Sequence, residues 1–185
     1  MTRIEVASRA PIAGSFGAAG AYELISGKFY GELDPKDAKN AIIKAFSGKF
    51  TGLIISDDVD KIRAQVRKWI EDPKVEAVIT TGGTGVTGRD VTPEALEALF
   101  EKKIEGFGET FRWISFQKIG TSTMQSRATA GVANGTYIFA LPGSTGACKD
   151  GWDDILRQQL DIRFRPCNFA ELMPRLNEGK MPRSG

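Results

Sequence analysis

At 185 residues the chain is long enough for one domain with a full hydrophobic core, and a second domain is not expected. Hydrophobic residues at 41% and charged residues at 26% exclude wholesale disorder and a membrane protein, and Lys+Arg 25 against Asp+Glu 23 leaves +2, which argues mildly against a nucleic-acid binder. Histidine is absent, which removes Ser-His-Asp and Cys-His catalysis, His-ligated zinc and haem, and any imidazole base.

Residues 1–50 are the least legible. Arg3 to Ala7 reads as a short strand, AGSFGAAGAYELISG as irregular, and ELDPKDAKNAIIKAF as a turn at Asp34-Pro35 before a helix carrying Ile42, Ile43 and Phe46. Ala13-Gly14-Ser15-Phe16-Gly17 has the outline of a nucleophile elbow, but no apolar strand precedes it and no histidine exists to serve as base.

From Thr51 the pattern sharpens. GLIIS is an apolar run ending at Ser56-Asp57-Asp58, and DDVDKIRAQVRKWIED is a helix with Val59, Ile62, Val66, Trp69 and Ile70 on one stripe. Asp57 and Asp58 sit at its start, where carboxylates cap the helix and oppose its dipole. VEAVIT at 75–80 is a buried strand. It leads through a Gly-rich loop to Thr92, a good N-cap, with Pro93 at the first helical position and Leu96, Leu99 and Phe100 as an apolar face. GETFRWISFQKI is a further helix. Its aromatic residues Phe107, Phe111, Trp113 and Phe116 are too many for one small domain to cover, so part of this surface is expected between subunits. TYIFA at 136–140 is another strand, LPGSTGACKDGWDDILRQQL a loop and helix, and LNEGKMPRSG a frayed polar tail. Strand, loop, helix repeated in this way predicts a mostly parallel sheet with helices on its faces, and ligands in such folds bind at the carboxyl ends of strands.

Both Gly-rich loops sit at such ends. In TTGGTGVTGRD, residues 80–90, the backbone of Thr81, Gly82, Gly83, Thr84 and Gly85 can cradle phosphate, and Arg89 can fork onto its oxygens. Asp90 is either a hard oxygen ligand for Mg²⁺ or a partner of Arg89 and the helix cap. Gly83 to Gly88 spells G-x-G-x-x-G, but the helix does not open at the third glycine and no acid follows a second strand about 20 residues on, so dinucleotide binding is disfavoured. Pro142, Gly143 and Ser144 form the second loop. GTSTMQSRATAG, residues 120–131, adds Ser122, Thr123, Ser126 and Arg127 as further anion contacts, or else is a solvated loop. Cys148 and Cys167 are too few for a four-cysteine metal site and are expected as free buried thiols. No apolar run is long enough to span a membrane and the opening lacks a secretory pattern, so the expected compartment is the cytoplasm.

TTGGTGVTGRDVTPEAL, EGFGETFRWISF, GTSTMQSRATAGVAN, FALPGS and DIRFRPCNF together resemble the MoaB/MogA family of molybdenum cofactor biosynthesis proteins, closest to MoaB, over about residues 52–170. The resemblance implies a three-layer α/β/α sandwich, a homotrimer or hexamer, and a pocket for molybdopterin. It also implies transfer of AMP from MgATP to the pterin's terminal phosphate. Its two catalytic, Mg²⁺-holding aspartates fall on Asp57 and Asp90, with Ser56 where the family commonly has proline. The first strand-helix unit is atypical. Residues 1–43 resemble instead the leader of an unrelated α/β-hydrolase-domain family. The implied division is an N-terminal segment 1–50, expected to pack poorly, a molybdopterin-binding body 51–170, and a polar tail 171–185. A binding module of this fold without catalysis, or a non-functional fusion, is the alternative.

Overall fold

The computed structural model describes residues 3–11, 23–30, 53 and 55–180. The irregular stretch up to Tyr22, the Asp34-Pro35 turn with its helix, and the last five residues of the tail lie outside them. The chain divides into two compact units, Met1–Ile55 and Ser56–Gly185.

In the first unit β1 (Arg3–Pro11) pairs antiparallel with β2 (Glu23–Tyr30), Arg3 opposite Tyr30 and Pro11 opposite Glu23, with a register shift between Val6 and Ser8. The first strand therefore runs four residues beyond the expected Ala7. Glu23 to Gly27, expected to be irregular, lie in a strand. Pro11 has no N–H to give a ladder, and it stands at the strand's last residue, where none is needed.

The second unit opens with α1 (Val59–Ile70). Asp58 is its cap: the carboxylate Oδ1 accepts from the backbone N–H of Asp60 at 3.0 Å and of Lys61 at 3.1 Å. Ile62, Val66 and Ile70, spaced by four, are the buried face, while Val59 and Trp69 flank it half-buried. β3 (Ala77–Thr81), α2 (Thr92–Glu97), β4 (Lys102–Lys103), α3 (Glu105–Ile119), β5 (Thr129–Ala133) and β6 (Thr136–Leu141) follow. The sheet order is β3-β6-β5-β4. α4 (Thr145–Asp150) runs through a π-turn segment, Gly151–Leu156, into α5 (Arg157–Gln159), and α6 (Phe169–Leu172) ends the body.

The fold is α/β, as expected, but the described sheet is mixed. β3 and β6 are parallel, whereas β5 runs antiparallel to both β6 and β4. The cause is local. Asn134 (φ 49°) and Gly135 (φ 82°) make a two-residue hairpin, and positive φ at both central positions is the turn whose twist matches flanking strands. Thr129 to Gly131 of β5 were expected in the polar stretch 120–131, and the composition of the strand explains why. Thr129, Ala130, Gly131, Val132 and Ala133 are mostly small, yet all are buried because α2 and α3 lie close over them.

Gly131 shows how tight that packing is. A Cβ there would come within 2.3 Å of Phe100 Cγ, the root of the ring rather than its flexible end. Gly131→Ala is expected to cost about 1–3 kcal/mol by overpacking. For a chain of this size that lowers the thermal midpoint by roughly 2–12 °C. A midpoint equal to the parent's would mean that Phe100 swings aside freely.

The core centres on β6, whose residues Thr136 to Leu141 are all buried. α3 lays Phe107 and Phe111 into it at 3% and 1% exposure, so the domain itself covers two of the four aromatics. Trp113 and Phe116 point away, 67% and 50% exposed. Lys118 at the end of α3 bridges to Asp150 at 2.6 Å and Asp154 at 3.0 Å, joining α3 to the C-terminal helix. The tail is less frayed than expected as far as Lys180, whose Nζ reaches the Glu101 carboxylate at 2.6 Å. Among the described residues no helix is long and apolar enough to cross a membrane.

Candidate functional site

The parallel register of β3 and β6 sets Thr81 beside Leu141, so the two Gly-rich loops leave the same edge of the sheet. Gly82 N–H donates to Leu141 O at 2.9 Å, continuing the ladder past the last strand residue. The loops then touch at glycines. A Cβ on Gly143 would lie 3.1 Å from Gly82 Cα, and Gly82 (φ 95°) and Gly83 (φ 65°) take backbone conformations that other residues rarely adopt.

Thr92 was expected to cap α2 and does something else. Its hydroxyl donates to Gly82 O at 2.9 Å and its backbone N–H to Gly83 O at 3.0 Å, and the side chain is buried. Val91 occupies the cap position without a side-chain bond. The left-handed glycines turn their carbonyls toward Thr92, and satisfying those half-buried acceptors takes the place of capping. Thr84 is buried beside them, and Thr81 is exposed at the strand end.

Asp90 closes a turn with Thr87. Its Oδ2 accepts from the Thr87 hydroxyl at 2.6 Å and the Thr87 backbone N–H at 2.8 Å, while Asp90 N–H donates back to Thr87 O at 3.0 Å. These bonds, the hydroxyl foremost, hold its carboxyl below the usual carboxylate range, so it is ionised at neutral pH. Arg89 does not pair with Asp90. Its guanidinium reaches Asp57 Oδ2 at 3.3 Å and is otherwise open, with the side chain 87% exposed. That contact brings Asp57 to the rim of the Asp90 loop. Asp58 supplies the helix cap by itself, so capping does not engage the Asp57 carboxylate. The apolar run before Asp57 is not in a strand at its described residues Leu53, Ile55 and Ser56.

An open cleft of about 380 Å³ lies on this side of the loop, lined by Val86, Thr87, Gly88, Asp90, Val91, Glu94 and Arg127. α2 opens at Thr92, past Gly88, in keeping with the rejected dinucleotide reading. The second loop is fixed from behind. Ser144 Oγ caps α4 by accepting from Ala147 N–H at 3.3 Å, and the Cys148 thiol donates to Pro142 O at 3.1 Å. Both cysteines are free, but neither is fully buried as expected: Cys148 is half-buried and Cys167 exposed.

The polar stretch departs most from expectation. Gly120–Gln125 is a 3₁₀ helix, the Thr123 hydroxyl is buried and donates to Arg112 O at 3.2 Å, and Ser126 Oγ accepts from Ala128 N–H at 3.3 Å. The Thr123 hydroxyl is thus bonded to Arg112 O and not to the Gly-rich loops. Arg127 does reach the first loop, through that loop's own carbonyls. Thr87 was missed altogether, although a threonine three residues before an aspartate is the spacing of a side-chain-closed turn.

Two carboxylates, Asp57 and Asp90, suit Mg²⁺, which takes one or two carboxylates and completes its shell with water and phosphate oxygens. Among the described residues no group of three or more acidic or thiol side chains is placed to hold a metal by itself.

Residues 44–162 match the family described as a probable molybdopterin binding domain. The chain belongs to that family. It is 58% identical over 116 residues to molybdenum cofactor biosynthesis protein B of Escherichia coli, covering 63% of this chain and 68% of that protein. To the protein of the same name from Staphylococcus aureus it is 46% identical over 109 residues, 58% of this chain and 64% of that one. Among solved structures, a molybdenum cofactor biosynthesis protein B superposes with a TM-score of 0.61 at 32% identity, covering 80% of this chain and 90% of that chain. The tungsten cofactor synthesizing protein MoaB from Pyrococcus furiosus gives 0.53 at 36% identity, covering 65% and 79%. The family match takes in both Gly-rich loops, Asp57 and Asp90.

Proposed function

We propose that this protein binds molybdopterin and transfers AMP from MgATP to its terminal phosphate. The observation that supports this reading best is the meeting of the two loops at Gly82 and Gly143, with ionised Asp90 beside them and Asp57 drawn to the same rim through Arg89. In this reading the backbone of Gly82 to Gly85 and the loop at Pro142 to Ser144 hold phosphate groups, with Thr81 and Ser126 at the margins. An oxygen of the pterin phosphate attacks the α-phosphorus of ATP in line, a new P–O–P bond forms, the α–β bridge breaks, and pyrophosphate leaves. Such a displacement needs positioning and charge neutralisation more than proton transfer, so a site without histidine suffices. Asp57 and Asp90 would hold Mg²⁺, which supplies positive charge against the phosphates when bound. Arg89, bonded only to an exposed carboxylate, exchanges Asp57 for a phosphate oxygen as substrate arrives.

The chain's organisation belongs to the same proposal. Residues 1–43 form a leader of hydrolase-family origin within an atypical segment 1–50, residues 51–170 the molybdopterin-binding body, and 171–185 the tail. The start of the family match at residue 44 and the division at Ile55/Ser56 support this. They also favour the second reading, a pterin-binding module in which an altered first unit has cost catalysis. Assembly as a homotrimer or hexamer in the cytoplasm completes the proposal, supported by the exposed Trp113 and Phe116 on α3 and by Met124 just beyond it. Single-turnover assay with ATP and molybdopterin tests the chemistry: adenylylated pterin is expected, and pterin binding without ATP consumption selects the module. Sedimentation should show a trimer or larger at micromolar concentration, and a clean monomer would remove the assembly claim.

A further inference from the structure

We propose that Arg127 is a positioning residue which clasps the Gly85–Asp90 loop and so fixes where Asp90 stands. The loop does little to hold itself. Val86, Thr87, Gly88 and Arg89 are all exposed, and its internal bonds converge on Asp90, from Thr87 and from the Gly85 backbone. Arg127 supplies what is missing. Its Nε donates to Gly85 O at 2.6 Å and one terminal nitrogen to Asp90 O at 2.5 Å, so one planar group bridges the first and last residues of the loop. The other terminal nitrogen is paired with the Glu94 carboxylate on α2, and the Arg127 backbone N–H donates to Thr84 O at 2.8 Å. All three guanidinium nitrogens are engaged, and the side chain is 34% exposed, so Arg127 serves the loop rather than an incoming anion.

Arg127 stands two residues before β5, a fully buried strand between β4 and β6. The clasp therefore ties an exposed loop to a buried inner strand of the sheet. Gly85 fits the same design, because a Cβ there would lie 2.7 Å from Asp90 Oδ2 and displace the carboxylate. Lysine cannot replace this arginine, since a single ammonium lacks the rigid fork that meets two carbonyls in fixed directions.

The kinetic half of this proposal rests on the adenylyl-transfer reading, and the structural half does not. The test uses the full chain with Arg127→Lys and Arg127→Ala. Amide hydrogen exchange across residues 85–90 is expected to speed by about tenfold or more, the factor that losing one or two charge-assisted hydrogen bonds implies, with β5 and β6 unchanged. Turnover per folded molecule should fall roughly 10–100-fold at little-changed KM for ATP, because misplacing a reacting group costs rate more than binding. Guanidinium ion at millimolar concentration should restore part of the turnover of Arg127→Ala, and methylammonium should not. Unchanged exchange at 85–90 would overturn the proposal, as would turnover that falls only with the folded fraction. If the parent protein transfers no adenylyl group, that failure belongs to the functional reading, and the exchange measurement still decides the clasp.

Discussion

Asp90→Asn is expected to cut adenylyl transfer by about 10²–10³-fold, the usual cost of removing one preorganised source of transition-state charge stabilisation. Asparagine keeps the shape of the side chain, and its amide oxygen can accept the same two bonds from Thr87 that Oδ2 accepts now. What disappears is the negative charge and, in the proposed reaction, the hold on Mg²⁺ and the balance of charge where phosphates would meet. Pterin binding should change far less, since it draws on the backbone of Gly82 to Gly85 and on the second loop. The competing explanation is that Asp90 only closes its turn. In that case asparagine, a weaker acceptor, should lower the thermal midpoint and leave turnover per folded molecule intact. Measuring both on one preparation decides, and a lowered midpoint with full turnover would remove Asp90 from the catalytic pair. Asp57→Asn is the parallel experiment. It also breaks the ion pair with Arg89, but an exposed pair of this kind contributes little to stability, so a loss of rate there is not a folding effect.

The elements that could be read from the chain are those whose own residues determine them. α1 shows its buried face through Ile62, Val66 and Ile70 at intervals of four, and Asp58 caps it where a carboxylate is best placed. β3 and β6 are apolar runs followed by glycine, so the sheet edge that carries both Gly-rich loops could be located before any contact was known. β5 could not, because its identity comes from its neighbours. Gly131 is there to admit the Phe100 ring, and Gly108 on α3 allows close approach to Ala128 O, where a Cβ would stand 2.5 Å away. Those small residues lower intrinsic strand preference, and tertiary packing overrides it. The Asn134-Gly135 pair was the available signal, and counting it as a hairpin would have turned β5 antiparallel at once.

The same division applies to the site. Where the candidate site lies could be read from the Gly-rich loops that follow β3 and β6. Which of its residues touch could not, because the contacts join residues between 10 and 42 positions apart in sequence. Arg89 reaches back to Asp57, Thr92 to Gly82, and Arg127 to Gly85 and Asp90. Arginine and threonine carry several donors, and only the assembled sheet decides whether these meet a ligand or the protein's own carbonyls.

Phe139→Ala is expected to be the most destabilising of these single changes. Phe139 is fully buried at the middle of β6, opposite Ile79 on one side and Ala130 on the other. Its ring lies 5.3 Å from Phe107 on α3 and 6.1 Å from Phe169 on α6, so it joins the sheet to two helices. Truncation removes these ring contacts and leaves a cavity whose walls, a parallel strand, a hairpin strand and an aromatic pair, have little freedom to collapse. A Phe→Ala change at such a site costs about 3–5 kcal/mol. Total stability for a domain is about 5–15 kcal/mol, so the variant should keep only a thin margin. Its thermal midpoint should fall by roughly 6–20 °C for a chain of this length. The loops need not follow, because the backbone of β6 keeps its pairing and the Thr80 hydroxyl still has the carbonyl of residue 139 to bond. Well below its midpoint the variant should therefore turn over like the parent per folded molecule. A midpoint within about 2 °C of the parent, less than ~1 kcal/mol of lost stability, would place the centre of the core elsewhere than β6.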